Sequence, residues 1–341
     1  MLIKELTNLR GVSGDEGAVR DFIISQIAPY ADEIKVDSIG NLIALKKGDS
    51  AKKIMLSAHT DEVGFIISEI TEKGFLHFKT VGGIDTRTIL TKRLKIGKNG
   101  VLGVIGMKAV HLQKKSERDN TPEIKDLFID IGAEDKESAE KLVKIGDYAT
   151  FETEYEELSE STVKAKAIDD RAGCAVLMEL IKKPQKYDTY FCFAAQEEVG
   201  LRGARLVAHR LKPDIALVIE ATSCSDIQGF DGHERVTVMG GGAAVTFMDR
   251  GTIVDDRLYK KIYGLAKSAK IPVQYKCSTA GGNDAARIHL AADGVKTASI
   301  SLPCRYLHSA ESVASLSDLE AVKNLTELVL DRIDEVLEEI R

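Results

Sequence analysis

Tryptophan is absent from this sequence, and Phe, Tyr and Trp together supply only 6% of its residues. Sugar-binding clefts are usually floored by stacking aromatic rings, so this composition disfavours an endo-1,4-glucanase or another glycoside hydrolase. No run approaches the ~20 apolar residues of a membrane-spanning helix, and residues 1–10 lack the apolar block and small-residue cleavage site of a secretory signal. Positive charge is not in excess either. Lys plus Arg number 47 against 53 Asp plus Glu, a net charge of −6, which implies no basic face for nucleic-acid phosphates. Cysteine is scarce and odd in number, at 174, 192, 224, 277 and 304, with no Cys-x-x-Cys pair. That spacing excludes a disulfide framework and a zinc knuckle, and it fits reduced core thiols. The expectation is a cytoplasmic protein with neither membrane nor nucleic acid as partner.

What is present is 341 residues, 44% hydrophobic and 29% charged, the composition of a globular chain of about two domains. Lys53 to Ala58, Thr189 to Ala195, Ile215 to Ile219 and Thr297 to Leu302 are continuous apolar runs, as strands buried on both faces require. Each is followed by polar groups: His59-Thr60-Asp61, Gln196-Glu197-Glu198, Glu220, and further on His308. Helical periodicity is predicted over Arg171–Lys182, Gly203–Arg210, Asp255–Ala269 and a long segment Ser317–Ile340. Ser13-Gly14-Asp15-Glu16 has capping-box spacing ahead of Val19, Phe22, Ile23 and Ile27, which predicts a further helix there. Alternating strands and helices indicate an α/β fold with a central, mostly parallel sheet covered by helices on both faces. Ligands of such sheets lie beyond the carboxyl ends of the strands, where all these polar groups fall.

From about 68 to 161 the texture changes to recurrent glycines between short Val/Ile/Leu/Phe runs, the pattern of a small all-β insert. The expected division is therefore 1–67 with 162–341 as one α/β domain and 68–161 as the insert. Within it, Lys114–Asp119 has no apolar residue and reads as a mobile loop, and Glu152–Glu160 as a solvated acidic edge.

Glu197 and Glu198 end a strand that is otherwise apolar, and like charges there repel unless something neutralises them. A divalent metal would do so, one glutamate ligating it and the other taking a proton from bound water. Asp61 is placed two residues from His59, where it could hold the second ring nitrogen. Asp169 and Asp170 precede a helix, where either one could be a cap. With His308 and Glu220, these nitrogen and oxygen donors suit zinc, cobalt or manganese. A pair of metals would need a bridging carboxylate, and Asp169 is the natural candidate.

The series His59-Thr60-Asp61-Glu62-Val63-Gly64, Ile168-Asp169-Asp170-Arg171-Ala172-Gly173, Gln196-Glu197-Glu198-Val199-Gly200, Gly282-Asn283-Asp284-Ala285 and Tyr306-Leu307-His308-Ser309 resembles the motifs of metallopeptidase family forty-two. The resemblance runs in order along essentially the whole chain. It implies a zinc-peptidase-like catalytic domain, an aminopeptidase acting on peptides with a free N-terminus, and two divalent ions per subunit, zinc or cobalt or else manganese. It further implies His59 and Glu220 as ligands of one ion, Glu198 and His308 of the other, and Asp169 as the bridge. Glu197 becomes the general base and Asp61 the partner of His59. Glu220 stands where that family commonly has aspartate. The insert resembles the family's dimerisation domain, which implies a homodimer and a dodecamer. Loops around Met248–Ile253 and Thr279–Asn283 are expected to shape the pocket for the first residue, with Arg250 as its candidate cation.

Overall fold

The computed structural model describes residues 1–50, 52–230 and 232–340. Its centre is four parallel strands, β1 (Lys53–His59), β2 (Asp188–Ala194), β3 (Ile215–Ser223) and β4 (Lys296–Arg305), in the spatial order β2-β1-β3-β4. These are the four apolar runs. Antiparallel strands flank them, with Leu42–Lys46 and Glu33–Val36 beyond β2, and Ser312–Ser315, Thr162–Ala165 and Glu156–Glu157 beyond β4. The sheet, 11-stranded among the described residues, is therefore mixed rather than mostly parallel. The flanking strands are short and, apart from the apolar Leu42–Leu45, partly exposed and interrupted by polar residues, so most of them carry no continuous apolar run for a sequence reading to catch.

The period-2 alternation of the strands sends side chains to two cores. Ile54, Leu56, Phe191, Phe193, Leu217 and Ile300 face helices α1 (Ile168–Leu180), α3 (Asp256–Ser268) and α5 (Leu316–Asp331). Met55, Cys192, Ala194 and Val218 face the opposite way, onto α2 (Arg202–Leu211) and α4 (Ala285–Ile288). Burying each large apolar side chain contributes ~1.5–3 kcal/mol, which fixes the strands in register. The single long C-terminal helix of the sequence reading is broken at Arg332. After the break, Ile333–Glu339 turns Ile333, Val336 and Leu337 into the core.

Between β1 and α1 the chain leaves the sheet and closes a barrel from Gly64–Ile70, Leu76–Val81, Arg93–Ile96, Val101–Met107, Leu127–Asp130 and Tyr148–Phe151. Phe65 packs edge-on against Phe78 at 5.2 Å and Phe151 at 5.3 Å. Gly103 is required there, because a Cβ would meet Cγ2 of Ile129 at 2.6 Å. The barrel strands thus occupy Gly64–Phe151, whereas the sequence reading put the insert at 68–161. Phe65-Ile66-Ile67 gives no compositional break after β1, and the stretch from Glu156 to Ala165 has already rejoined the large sheet. Lys115–Arg118 is a helical turn rather than an irregular loop, capped by the Glu117 side chain on the Lys114 N–H. Of the cysteines, Cys174, Cys192 and Cys304 are buried, Cys224 is partly so, and Cys277 is exposed instead of lying in the core.

Candidate metal centre

His59 is the last residue of β1, and the β1–β3 register, continued by two residues, sets Glu220 beside it on the same face. Glu197 and Glu198 lie in the turn after β2, entered through Gln196 in the left-handed region at φ +59°. His308 follows β4, itself at φ +56°. Such conformations in residues with a Cβ cost of order 1 kcal/mol or more, and they concentrate at functional sites. Asp169 and Asp170 sit where the chain enters α1, with non-helical backbone at both positions.

The six side chains expected at the centre come together. His59 Nε2 lies 3.1 Å from Asp169 Oδ1 and 3.5 Å from Glu220 Oε1. His308 Nε2 lies 3.4 Å from Asp169 Oδ2 and 3.3 Å from Glu198 Oε1. Glu197 Oε2 is 3.9 Å from His59 Nε2. Ligand-type atoms of His59, Asp169 and Glu198, and of His59, Asp170 and Glu220, fall within 4.8 Å of one another.

Asp61 supports this group from below. Its nearest link to the His59 ring is its backbone carbonyl, 3.0 Å from Nδ1, with carboxylate Oδ1 at 3.4 Å. The carboxylate also accepts the N–H of Glu197 at 3.0 Å, the N–H of Glu198 at 3.1 Å and the Ser13 hydroxyl at 2.6 Å. Ser13 is therefore no capping residue; the helix begins only at Gly17, and Glu16 accepts the N–H of Gly14 and of Gln196. Asp170 accepts the N–H of Gly173 at 3.0 Å as a helix cap and the N–H of His59 at 3.2 Å.

The electrostatics are those of a cluster short of positive charge. Burial, with the Asp169 charge acting in the same direction, raises Glu198 to about 7 and Glu220 to about 8, and burial drives Glu197 well above the usual carboxylate range. Burial opposes charging of His308, yet Asp169 and Glu198 lift it to about 9, and Glu220, Glu197 and Asp169 similarly carry His59 well above the ordinary imidazole value. Protons stand here where metal cations would neutralise the same donors. The mixed nitrogen and oxygen donors, buried and close-set, fit divalent transition metals.

Sequence reasoning missed two neighbours. Arg171 is 0% exposed and donates to the carbonyls of Leu6 and Thr60 and to Glu62, lashing the chain's first residues to the site. Lys276 lines the cavity in front of these donors. Arg250, the expected cation, is exposed and lines an adjoining cavity.

A family model described as M42 glutamyl aminopeptidase matches residues 40–325, barrel included. The chain belongs to this family. It is 43% identical over 331 residues to a protein of Acetivibrio thermocellus that carries the name of an aminopeptidase, an alignment covering 96% of this chain and 97% of that one. A solved TET aminopeptidase from Thaumarchaeota archaeon SCGC AB-539-E09 superposes with a TM-score of 0.96 at 37% identity, over 100% of this chain and 98% of that one. The Pyrococcus horikoshii TET1 peptidase, described as assembling into a tetrahedron or a large octahedral shell, matches with a TM-score of 0.85 at 35% identity, over 96% and 98% of the two chains. This M42 chain is thus an aminopeptidase, a hydrolase of peptide bonds. The endo-1,4-glucanase alternative finds no support in the site. Among the described residues no Phe or Tyr lines its cavity, and two imidazoles stand among its carboxylates.

Proposed function

We propose that this chain removes N-terminal residues from peptides at a centre of two divalent metals. His59 and Glu220 would hold one ion and Glu198 and His308 the other, with Asp169 contributing to both. The observation that carries this reading is the Asp169 carboxylate, one oxygen turned to each imidazole, 3.1 Å from His59 and 3.4 Å from His308. Zinc or cobalt suits the donors best, with manganese next. When bound, two such ions lower the pKa of a water and polarise the scissile carbonyl. Glu197, with Oε2 3.9 Å from His59 Nε2, would accept the proton of the attacking water and deliver it to the departing amine. Asp61 keeps Glu197 and Glu198 in place through their amides and orients His59. The substrate's free α-amine belongs at the Glu198–His308 end.

The barrel is proposed as the dimer contact, with Leu102, Val104, Val110 and Leu112 as its exposed apolar side chains, and six dimers as the full particle. Among the described residues no helix is long and apolar enough to cross a membrane, in keeping with a cytoplasmic setting. The test is turnover of a leucyl-anilide, which a chelator should abolish and zinc or cobalt restore, while an N-acetylated substrate stays intact. Turnover by the metal-depleted protein would overturn the reading.

A further inference from the structure

Asp284 belongs to the Gly282-Asn283-Asp284-Ala285 motif yet has no place among the donors of the proposed divalent pair. It precedes α4, where an aspartate ordinarily caps the helix, but its side chain accepts no helix N–H. The carboxylate is turned inward instead. Asp284 is only 1% exposed, and among the described residues neither of its oxygens has a hydrogen-bond partner. Asn283 beside it is engaged at both ends, Oδ1 accepting the Ala285 N–H and Nδ2 donating to Ser299 Oγ. No described lysine or arginine compensates Asp284. The charges that reach it are those of His59 and Asp61, and the buried cations Arg171 and Lys166 both turn to Glu62.

The sheet under α4 holds a second orphan. Cys192, Ser57, Val218 and Ser299 lie side by side in register across β2, β1, β3 and β4, and Cys192 and Val218 pack toward α4. Ser57 shares that face by alternation, and its hydroxyl is fully buried without a partner. Burial, and after it the Asp284 charge, raises the thiol of Cys192, the neighbour of Ser57 in this row. The two orphans therefore share one layer, two residues or about 7 Å below the His59–Glu220 row. Buried oxygens without a donor are served by a proton, a water or a cation. A proton on Asp284 would itself be a donor with no acceptor in reach. A water leaves the charge uncancelled, and the carboxylates of Asp61, Asp169, Asp170, Glu197, Glu198 and Glu220 already outnumber the positive charges of two divalent ions. A cation meets the lone pairs and the charge together, and one carboxylate balances one unit of charge.

We propose that Asp284 and Ser57 hold a monovalent metal cation, sodium or potassium, in the layer beneath the metal centre. The ion ties the entry of α4 to the end of β1 and cancels a charge that otherwise faces Glu197. It is independent of the peptide chemistry above.

The test uses the metal-loaded enzyme. Crystals soaked in thallium(I) acetate, a potassium mimic with strong anomalous scattering, should show a peak between the Asp284 carboxylate and Ser57 Oγ, separate from the divalent pair. In solution, sodium or potassium chloride should raise the melting temperature, saturably and by about 2 °C or more, over tetramethylammonium chloride at equal ionic strength. The salt with the lower half-saturating concentration names the ion, and a sodium response without a thallium peak assigns sodium. Asp284→Asn should erase the response. Ser57→Ala should raise the half-saturating concentration several-fold, which keeps the site testable if Asp284→Asn fails to fold. Equal melting temperatures in the three salts overturn the proposal and leave Asp284 to a water or a proton. It is equally overturned if only magnesium or calcium produces the rise, or if Asp284→Asn keeps the full response to sodium and potassium. Loss of anilide turnover alone bears on the aminopeptidase reading and not on this site.

Discussion

The Asp61 carboxylate accepts the backbone N–H of Glu197 at 3.0 Å. The turn after β2 is thereby fixed to the end of β1 by its backbone, and the two glutamate side chains are free to take separate roles without the turn depending on either.

That independence makes the two neighbours separable by mutation. Glu197→Gln keeps the size and the Asp61 anchor but removes a proton acceptor, so turnover should fall by roughly 10²–10⁴ with metal content unchanged. Glu198→Gln replaces a charged ligand by a neutral one, so one metal should be lost on dialysis and excess metal should recover part of the activity. Metal-to-protein ratios by atomic emission, beside anilide turnover, check both. Loss of metal from the Glu197 variant and not from the Glu198 variant would reverse the assignments.

Metal removal should leave a pH-dependent weakness. Folding raises Glu198 from 4.5 to about 7, Glu220 from 4.5 to about 8 and His308 from 6.5 to about 9. Each binds its proton more tightly when folded, so the stability it contributes is complete below the unfolded value and is lost as pH rises through the folded one. The melting temperature of the chelated protein should therefore fall between pH 5 and 9, the window those values span. Zinc or cobalt, displacing the same protons, should restore it most at the alkaline end. A metal-free melting temperature that climbs with pH contradicts this account.

Arg171→Ala should destabilise the fold by about 3–5 kcal/mol, because it leaves buried carbonyls without a donor and opens a cavity. Nη1 of Arg171 lies 2.6 Å from the Leu6 carbonyl oxygen and Nε 2.8 Å from that of Thr60. Lys166 still pairs with Glu62 at 2.7 Å in the variant, so the Glu62 carboxylate is not orphaned. The urea midpoint measures the loss, and an unchanged midpoint would show that the guanidinium is not a structural tie.

The parallel centre and the donors at its strand ends were legible because burial on both faces demands continuous apolar runs, and a polar residue ending such a run stands out: His59 after Lys53–Ala58, Glu220 after Ile215–Ile219. Most of the antiparallel flanks carry no such mark, and the apolar Leu42–Leu45 is followed by lysines rather than by a donor. Leu42–Lys46 and Ser312–Ser315 bury residues against Asp188–Ala194 and Thr162–Ala165, neighbours that are distant in sequence, information no local window holds. Ser13 and Glu16 have the spacing of a helix cap, yet the hydroxyl turns to Asp61, a tertiary partner outbidding a local one. Arg171 and Lys276 look like surface charges for the same reason. Their burial is decided by segments that only the fold brings near.

The barrel interrupts the chain between the strand that ends in His59 and the helix whose entry carries Asp169, and the two residues that meet at 3.1 Å are 110 positions apart. His308 comes later still. No contiguous portion of the nascent chain short of residue 308 therefore holds both imidazoles, and an unfinished polypeptide lacks the assembled centre. With contacts this distant in sequence, ordering of the centre is slow compared with helix formation. On the proposed ligand set, a ribosome-bound or prematurely released fragment would be harmless, and hydrolytic power would arrive only when the last imidazole reaches the sheet.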